Sequence, residues 1–104
     1  MKIPSTPVVI REVGLRDGLQ SLARVLPTAL KLEWLRAAYE AGQREIEVGS
    51  FVPARLLPQL ADTAELVAVA KTLPGLVTSV LVPNLKGAER ALESGADLML
   101  LPLS

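Results

Sequence analysis

Arg16 and Asp17 stand side by side between Gly14 and Gly18, with Gln20 two residues on. Further along the chain Glu47 and Ser50 close one apolar run, and Asn84 and Lys86 follow another. The chemistry open to these groups is narrowed by what the sequence lacks. It has no cysteine and no histidine. That excludes a thiolate nucleophile, a zinc–cysteine site, a Ser-His-Asp triad and any histidine metal ligand within these residues. Carboxylate, guanidinium, ammonium, amide and hydroxyl groups remain.

Each of these residues carries a plain structural reading beside a functional one. Arg16-Asp17-Gly18 reads as a salt-bridged turn with glycine at positive φ. Asn84 reads as a helix cap, and Ser50 as a loop hydroxyl bonded to nearby backbone. Gln20 and Lys86 read as solvated or structural. Glu47 resists such a reading, because it lies inside an apolar strand and points away from Ile46 and Val48. A carboxylate there requires a partner or a metal.

The elements that must position these groups follow from periodicity. Val8 to Val13 predicts a buried β-branched strand ending at Gly14. Pro27 and Thr28 open a helix with Leu32, Leu35 and Tyr39 on its apolar side and Lys31, Arg36 and Glu40 opposite. Gly42 stands at its C-terminal end. Glu45–Val48 is the second strand, ending at Gly49-Ser50. Asp62-Thr63-Ala64-Glu65 has capping-box spacing and starts a helix that runs to Pro74-Gly75. Val77–Val82 is the third strand. A short helix over Lys86–Glu93 is closed by Gly95, and Leu98–Leu101 is the fourth strand.

The order β-α-β-α-β-α-β predicts an α/β fold with parallel strands and right-handed crossover helices. The strands are apolar runs, as expected when both sheet faces are buried. A doubly wound sheet and a barrel share this pattern. The loop Gly14-Leu15-Arg16-Asp17-Gly18 lacks the G-x-G-x-x-G pattern and a Walker loop is absent, so a dinucleotide fold is disfavoured. In both architectures ligands bind at the C-terminal ends of the strands, and three successive strand ends here carry the polar groups.

Composition adds exclusions. Lysine plus arginine and aspartate plus glutamate both total 11 among 104 residues, so the net charge is zero. That gives no electrostatic reason for a nucleic-acid or membrane partner. No signal peptide and no membrane-length apolar stretch are legible, so a cytoplasmic protein is expected. The mean hydropathy of +0.38 is high for a small soluble domain, which suggests apolar surface that faces parts of a larger fold.

Three segments resemble a known family. Glu12-Val13-Gly14-Leu15-Arg16-Asp17-Gly18-Leu19-Gln20 is similar to the first-strand signature of the hydroxymethylglutaryl-CoA lyases. Ile46-Glu47-Val48-Gly49-Ser50-Phe51-Val52, continued by Pro58-Gln59-Leu60-Ala61-Asp62, resembles the second-strand region. Val82-Pro83-Asn84-Leu85-Lys86-Gly87 resembles the third. The resemblance implies the N-terminal βα units of a TIM (β/α)8 barrel, with residues 1–104 as part of a single catalytic domain. It implies retro-Claisen cleavage of a 3-hydroxyacyl-CoA to acetyl-CoA and a keto acid, with Mg²⁺ or Mn²⁺ as cofactor and an acyl-CoA substrate in a homo-oligomer. Under it Asp17 would be a metal ligand. Arg16 would stabilise the enolate oxygen, with Glu47 beside it in the active site, and Gln20, Ser50 and Asn84 would contact substrate.

Leu15 stands where the lyases usually have proline, and Pro53-Ala54 where they usually have Ser-Pro. A citramalyl-CoA lyase and a Claisen-type synthase are therefore the alternatives within the chemistry. A self-associating half-barrel module is the alternative of another class. A whole barrel takes on the order of 250 residues. The isolated 104 residues are accordingly expected to end before the barrel closes and to be inert.

Overall fold

Parallel strands that follow one another in sequence need a connection that crosses back over the sheet, and a helix supplies it. The computed structural model describes residues 8–102. It contains strands β1 (Glu45–Ser50), β2 (Val77–Leu81) and β3 (Leu98–Leu100), all parallel and in the order β1-β2-β3. Helices α1 (Thr28–Glu40), α2 (Thr63–Ala70) and α3 (Leu85–Ser94) precede or connect them. The three later strands and all three helices thus fall where periodicity predicts them. Gly42 and Gly95 end their helices at φ +105° and +84°, a conformation that costs glycine little.

The expected strand over Val8–Val13 does not form. Only Glu12 bridges to Ile46, its N–H donating to the Glu45 carbonyl at 3.0 Å and its carbonyl accepting from Glu47 N–H at 2.9 Å. Val8, Val9 and Ile10 are 85%, 67% and 70% exposed, so the expected burial is overturned as well. The segment lies along the outer edge of β1. Among the described residues no second backbone flanks it, and β-propensity alone does not make a ladder. Four expected strands are therefore three and a bridge.

Helices cover one face of the sheet. Leu15, Leu35, Ile46, Val48, Val67 and Val80 are each fully buried in one cluster. Burying one such side chain contributes about 1.5–3 kcal/mol. Glu47 and Ser79 are register partners and share the other face. The register slips between Glu47 and Gly49, a bulge that changes the alternation of β1 just beyond the buried carboxylate.

Two details of α1 and α2 correct the sequence reading. Lys31 is not on the solvent side of α1; it is 1% exposed. Its Nζ donates to Asp62 Oδ1 at 2.7 Å and to the Gln59 carbonyl at 2.5 Å. Asp62 does precede α2, but the capping box is not made, since its side chain caps nothing. Its carboxylate is engaged by Lys31 and by Thr28 Oγ1, which donates at 2.7 Å. An ammonium ion offers a stronger partner than a backbone amide, so the pair outcompetes the cap. Helix α2 also ends four residues before Pro74, at Ala70.

The far edge of the sheet is held by Asp97. Its carboxylate accepts from Lys71 Nζ at 2.8 Å and from Thr78 N–H at 2.8 Å. The Lys71 hydrogen bond first, then the Thr78 amide, hold its carboxyl below the ordinary value of 3.8, against an opposing effect of burial. A lowered folded-state value means that the unfolded chain takes up the proton first. The stabilisation is then fully present above pH 3.8 and is lost as pH falls through the folded-state value. Asp97→Asn is expected to lower the melting temperature at neutral pH and to flatten its decline on acidification. Melting curves of both proteins between pH 7 and pH 3 check this; parallel declines would refute it.

Candidate active site

The turn that carries Arg16 and Asp17 is wound by one acceptor. The carbonyl of Val13 receives the N–H groups of Arg16, Asp17 and Gly18 at 3.1, 2.8 and 3.4 Å. The result is a π-helical turn over Gly14–Gly18. Leu15 and Leu19 anchor it in the core. At Gly14 a Cβ would stand 2.6 Å from the Trp34 ring and 2.9 Å from Glu12 Oε1, so any larger residue would have to displace both side chains. Glu12 Oε1 in turn accepts the Gly14 N–H at 2.8 Å and fixes the start of the turn. Gly18 does not take a positive φ, so that part of the plain turn reading fails.

With Leu15 pointing inward, Arg16 is laid over the helix-free face of the sheet. Its Nε donates to Glu47 Oε2. The Glu47 side chain is 2% exposed, that of Arg16 19%. The buried carboxylate thus has the partner its strand position demanded. Asp17 lies 3.5 Å from the same guanidinium, and its side chain is 68% exposed. The arrangement is a fixed cation, held from behind by a buried carboxylate, beside a carboxylate open to solvent.

The remaining expected residues do not join this group. Ser50 Oγ donates to the Leu81 carbonyl at 3.0 Å, and its N–H donates to Thr63 Oγ1 at 3.1 Å. Asn84 Oδ1 accepts from Gly87 N–H at 2.8 Å and caps α3, so both have the structural partners foreseen for them. Gln20 Oε1 is buried with no partner among the described residues. Asn84 and Lys86 instead line a second hollow of about 340 Å³ with Phe51, Arg55 and Arg90. Arg55 and Arg90 were missed in the sequence, where 35 positions separate them; the spacing of Lys86 and Arg90 on one helix face was a readable signal.

Among the described residues no three carboxylates gather in a way that holds a metal ion. Asp17 offers one hard oxygen donor, while Glu47 is committed to Arg16. These residues do not by themselves make a divalent-cation site.

Comparison with known proteins decides what this arrangement is related to. No family-wide sequence model matches the chain. Individual relatives do. The cytoplasmic 3-hydroxy-3-methylglutaryl-CoA lyase of Rattus norvegicus is 45% identical over 89 residues, 86% of this chain and 26% of the relative. A 3-hydroxy-3-isohexenylglutaryl-CoA/hydroxy-methylglutaryl-CoA lyase of Pseudomonas aeruginosa is 44% identical over 95 residues, 91% of this chain and 31% of the relative. The crystal structure of a hydroxymethylglutaryl-CoA lyase from P. aeruginosa superimposes with a TM-score of 0.84 at 42% identity, over 90% of this chain and 31% of that one.

The chain belongs to the hydroxymethylglutaryl-CoA lyase family. An HMG-CoA lyase from Acinetobacter baumannii, solved in complex with coenzyme A and 3-methylmalate, agrees at TM-score 0.87 and 36% identity over 97% of this chain and 33% of that one. The βα units seen here are therefore those of the lyase barrel, and the chain spans between a quarter and a third of the length of these lyases. The relatives and solved structures named above all carry the name of a hydroxymethylglutaryl-CoA lyase.

Proposed function

We propose that the protein containing this chain cleaves a 3-hydroxyacyl-CoA of the hydroxymethylglutaryl type. The observation that carries the reading is the buried Arg16–Glu47 pair beside exposed Asp17, set in a segment shared with lyases. In a retro-Claisen cleavage the 3-hydroxyl loses its proton, the C2–C3 bond breaks, and its electrons move into the thioester as an enolate. A proton then returns to C2, giving acetyl-CoA and a keto acid. Arg16 presents a charge that does not titrate at working pH to the enolate oxygen as it forms. Glu47 acts through Arg16: its hydrogen bond to Nε holds the guanidinium in place.

Asp17 would supply one ligand to Mg²⁺ or Mn²⁺, the remainder coming from outside this chain. Such an ion, when bound, polarises substrate oxygens. Gln20, Ser50 and Asn84 are assigned to the substrate side of the site, of which Gln20, with an unpartnered buried oxygen, has the most to offer a ligand. A cytoplasmic location is proposed on the likeness to cytoplasmic lyases, although mitochondrial ones are equally similar. Among the described residues no helix is long and apolar enough to cross a membrane. Self-association is supported by Leu85 and Leu92, exposed seven residues apart on α3.

The test is cleavage of hydroxymethylglutaryl-CoA by the full-length protein with Mg²⁺ or Mn²⁺, with and without chelator. Activity is expected to require the metal and to fall to background in Asp17→Ala. The substitution should leave stability within about 0.5 kcal/mol, because the side chain is exposed. Undiminished cleavage by the variant would remove Asp17 from the metal site.

A further inference from the structure

We propose that Thr63 is a positioning residue: its hydroxyl holds the bulge in β1 that turns Ser50 onto the face carrying Glu47 and Arg16. That this face meets substrate rests on the lyase reading above; the placing of Ser50 does not. Ser50 stands three residues after Glu47. Side chains alternate along a regular strand, so residues an odd number apart point to opposite faces. Ser50 would then face the helices. The pairing with β2 places it otherwise. Glu47 pairs with Ser79, Gly49 with Val80 and Ser50 with Leu81. The pairing of β2 with β3 is unbroken, so Ser79 and Leu81, two residues apart, share a face. Val48 is the extra residue, and past it the alternation of β1 is reversed. Glu47 and Ser50 thus look away from the helices together.

A bulge interrupts the ladder and leaves backbone groups that need other partners. Thr63, the first residue of α2, supplies them. Its Oγ1 accepts the Ser50 N–H at 3.1 Å. Its own proton is shared between the Ser50 carbonyl at 3.0 Å and the Leu60 carbonyl at 2.7 Å. One side chain therefore brackets both backbone groups of a residue 13 positions away. Thr63 is 1% exposed, so water does not compete for these bonds. Gly49 completes the arrangement. A Cβ there would overlap Thr63 Oγ1 and stand 2.9 Å from its Cγ2. Gly49 does not take a positive φ, so this glycine serves close approach: it admits the threonine hydroxyl to the strand backbone. From the sheet side the Leu81 carbonyl accepts from both Ser50 Oγ and Phe51 N–H, each at 3.0 Å, and there the pairing resumes.

The chemical consequence is a hydroxyl delivered to the same face as a guanidinium and a carboxylate. Regular pairing would instead turn that hydroxyl into the apolar cluster under the helices, where Val48 and Val80 lie. Without the Thr63 hydroxyl, the Ser50 N–H and carbonyl are buried with no partner on the helix side, which favours the regular strand over the bulged one.

The test compares the full-length parent with Thr63→Val and Thr63→Ser, by crystal structure and by steady-state cleavage of hydroxymethylglutaryl-CoA. Valine keeps the branched shape and loses the hydroxyl; serine keeps the hydroxyl. Thr63→Val is expected to move Ser50 Oγ off the Leu81 carbonyl and to lower kcat/KM about tenfold or more. Thr63→Ser should restore both, and Ser50→Ala should cost no further activity in the Thr63→Val background. If Thr63→Val does not fold, Gly49→Ala serves in its place, since its Cβ drives the hydroxyl away, and the same changes are expected. An intact bulge in the valine variant, or a kcat/KM equal to that of the parent, would overturn the proposal. So would a loss that serine does not recover, which would mark Thr63 as a packing residue. A parent that does not cleave hydroxymethylglutaryl-CoA would sink the lyase reading, and the position of Ser50 in the variant structures would then decide the role of Thr63 alone.

Discussion

Asp62→Ala is expected to lower the unfolding free energy by about 3–5 kcal/mol, the usual cost of stranding a buried charge. Lys31 is 1% exposed, and without Asp62 its ammonium would keep only the Gln59 carbonyl. Domains of this size have roughly 5–15 kcal/mol in total, so the loss is a large share. The pair itself contributes much less, because removing two charges from water costs nearly what their attraction returns. Lys31→Met combined with Asp62→Leu should therefore recover more than half of the loss. Urea unfolding of Lys31→Met, Asp62→Leu and their combination, beside Asp62→Ala, measures this cycle. A double variant as unstable as Asp62→Ala would show that the carboxylate matters through Thr28 and not through Lys31.

Arg16 separates charge from geometry. Arg16→Lys keeps a cation against Glu47 and should leave the protein folded. A lysine forms a point contact, however, and cannot hold Glu47 through one nitrogen while presenting two others to substrate. The expected loss in kcat is about 10²–10³-fold, or roughly 3–4 kcal/mol of barrier. Arg16→Gln should lose at least as much activity and also lower the melting temperature, because Glu47 would then be buried without a partner. Steady-state kinetics and melting curves of the two variants check both halves. A lysine variant that keeps kcat within about threefold would remove Arg16 from the reaction.

The buried partner was legible in the sequence for Glu47, since a carboxylate flanked by Ile46 and Val48 inside a strand has no solvent to face. Its residue-level partner was not, because 31 positions separate Arg16 from Glu47 and only the parallel pairing of Glu12 with Ile46 brings them together. The order of helices and later strands was readable because each is punctuated by its own glycine or proline. The run Val8–Ile10 misled because β-branched residues state that a stretch favours extension, not which neighbour completes it. Lys31 misled for the opposite reason. It stands four residues before Leu35, on the same side of the helix, and that spacing outweighed its charge. A buried counter-charge lying 31 residues away has no local signature.

Gln59 carries a consequence of its own. Its carbonyl accepts from Lys31 Nζ, while its side-chain amide donates to the Leu22 carbonyl at 2.5 Å. The segment that follows Arg16 and the segment that holds Arg55 are thereby stitched together through one residue. Neither can swing away from the sheet without breaking bonds to the other, so they open and close as one cooperative unit. Ordering at the Arg55 end would therefore be felt at the Arg16 end, and the two segments share one hinge.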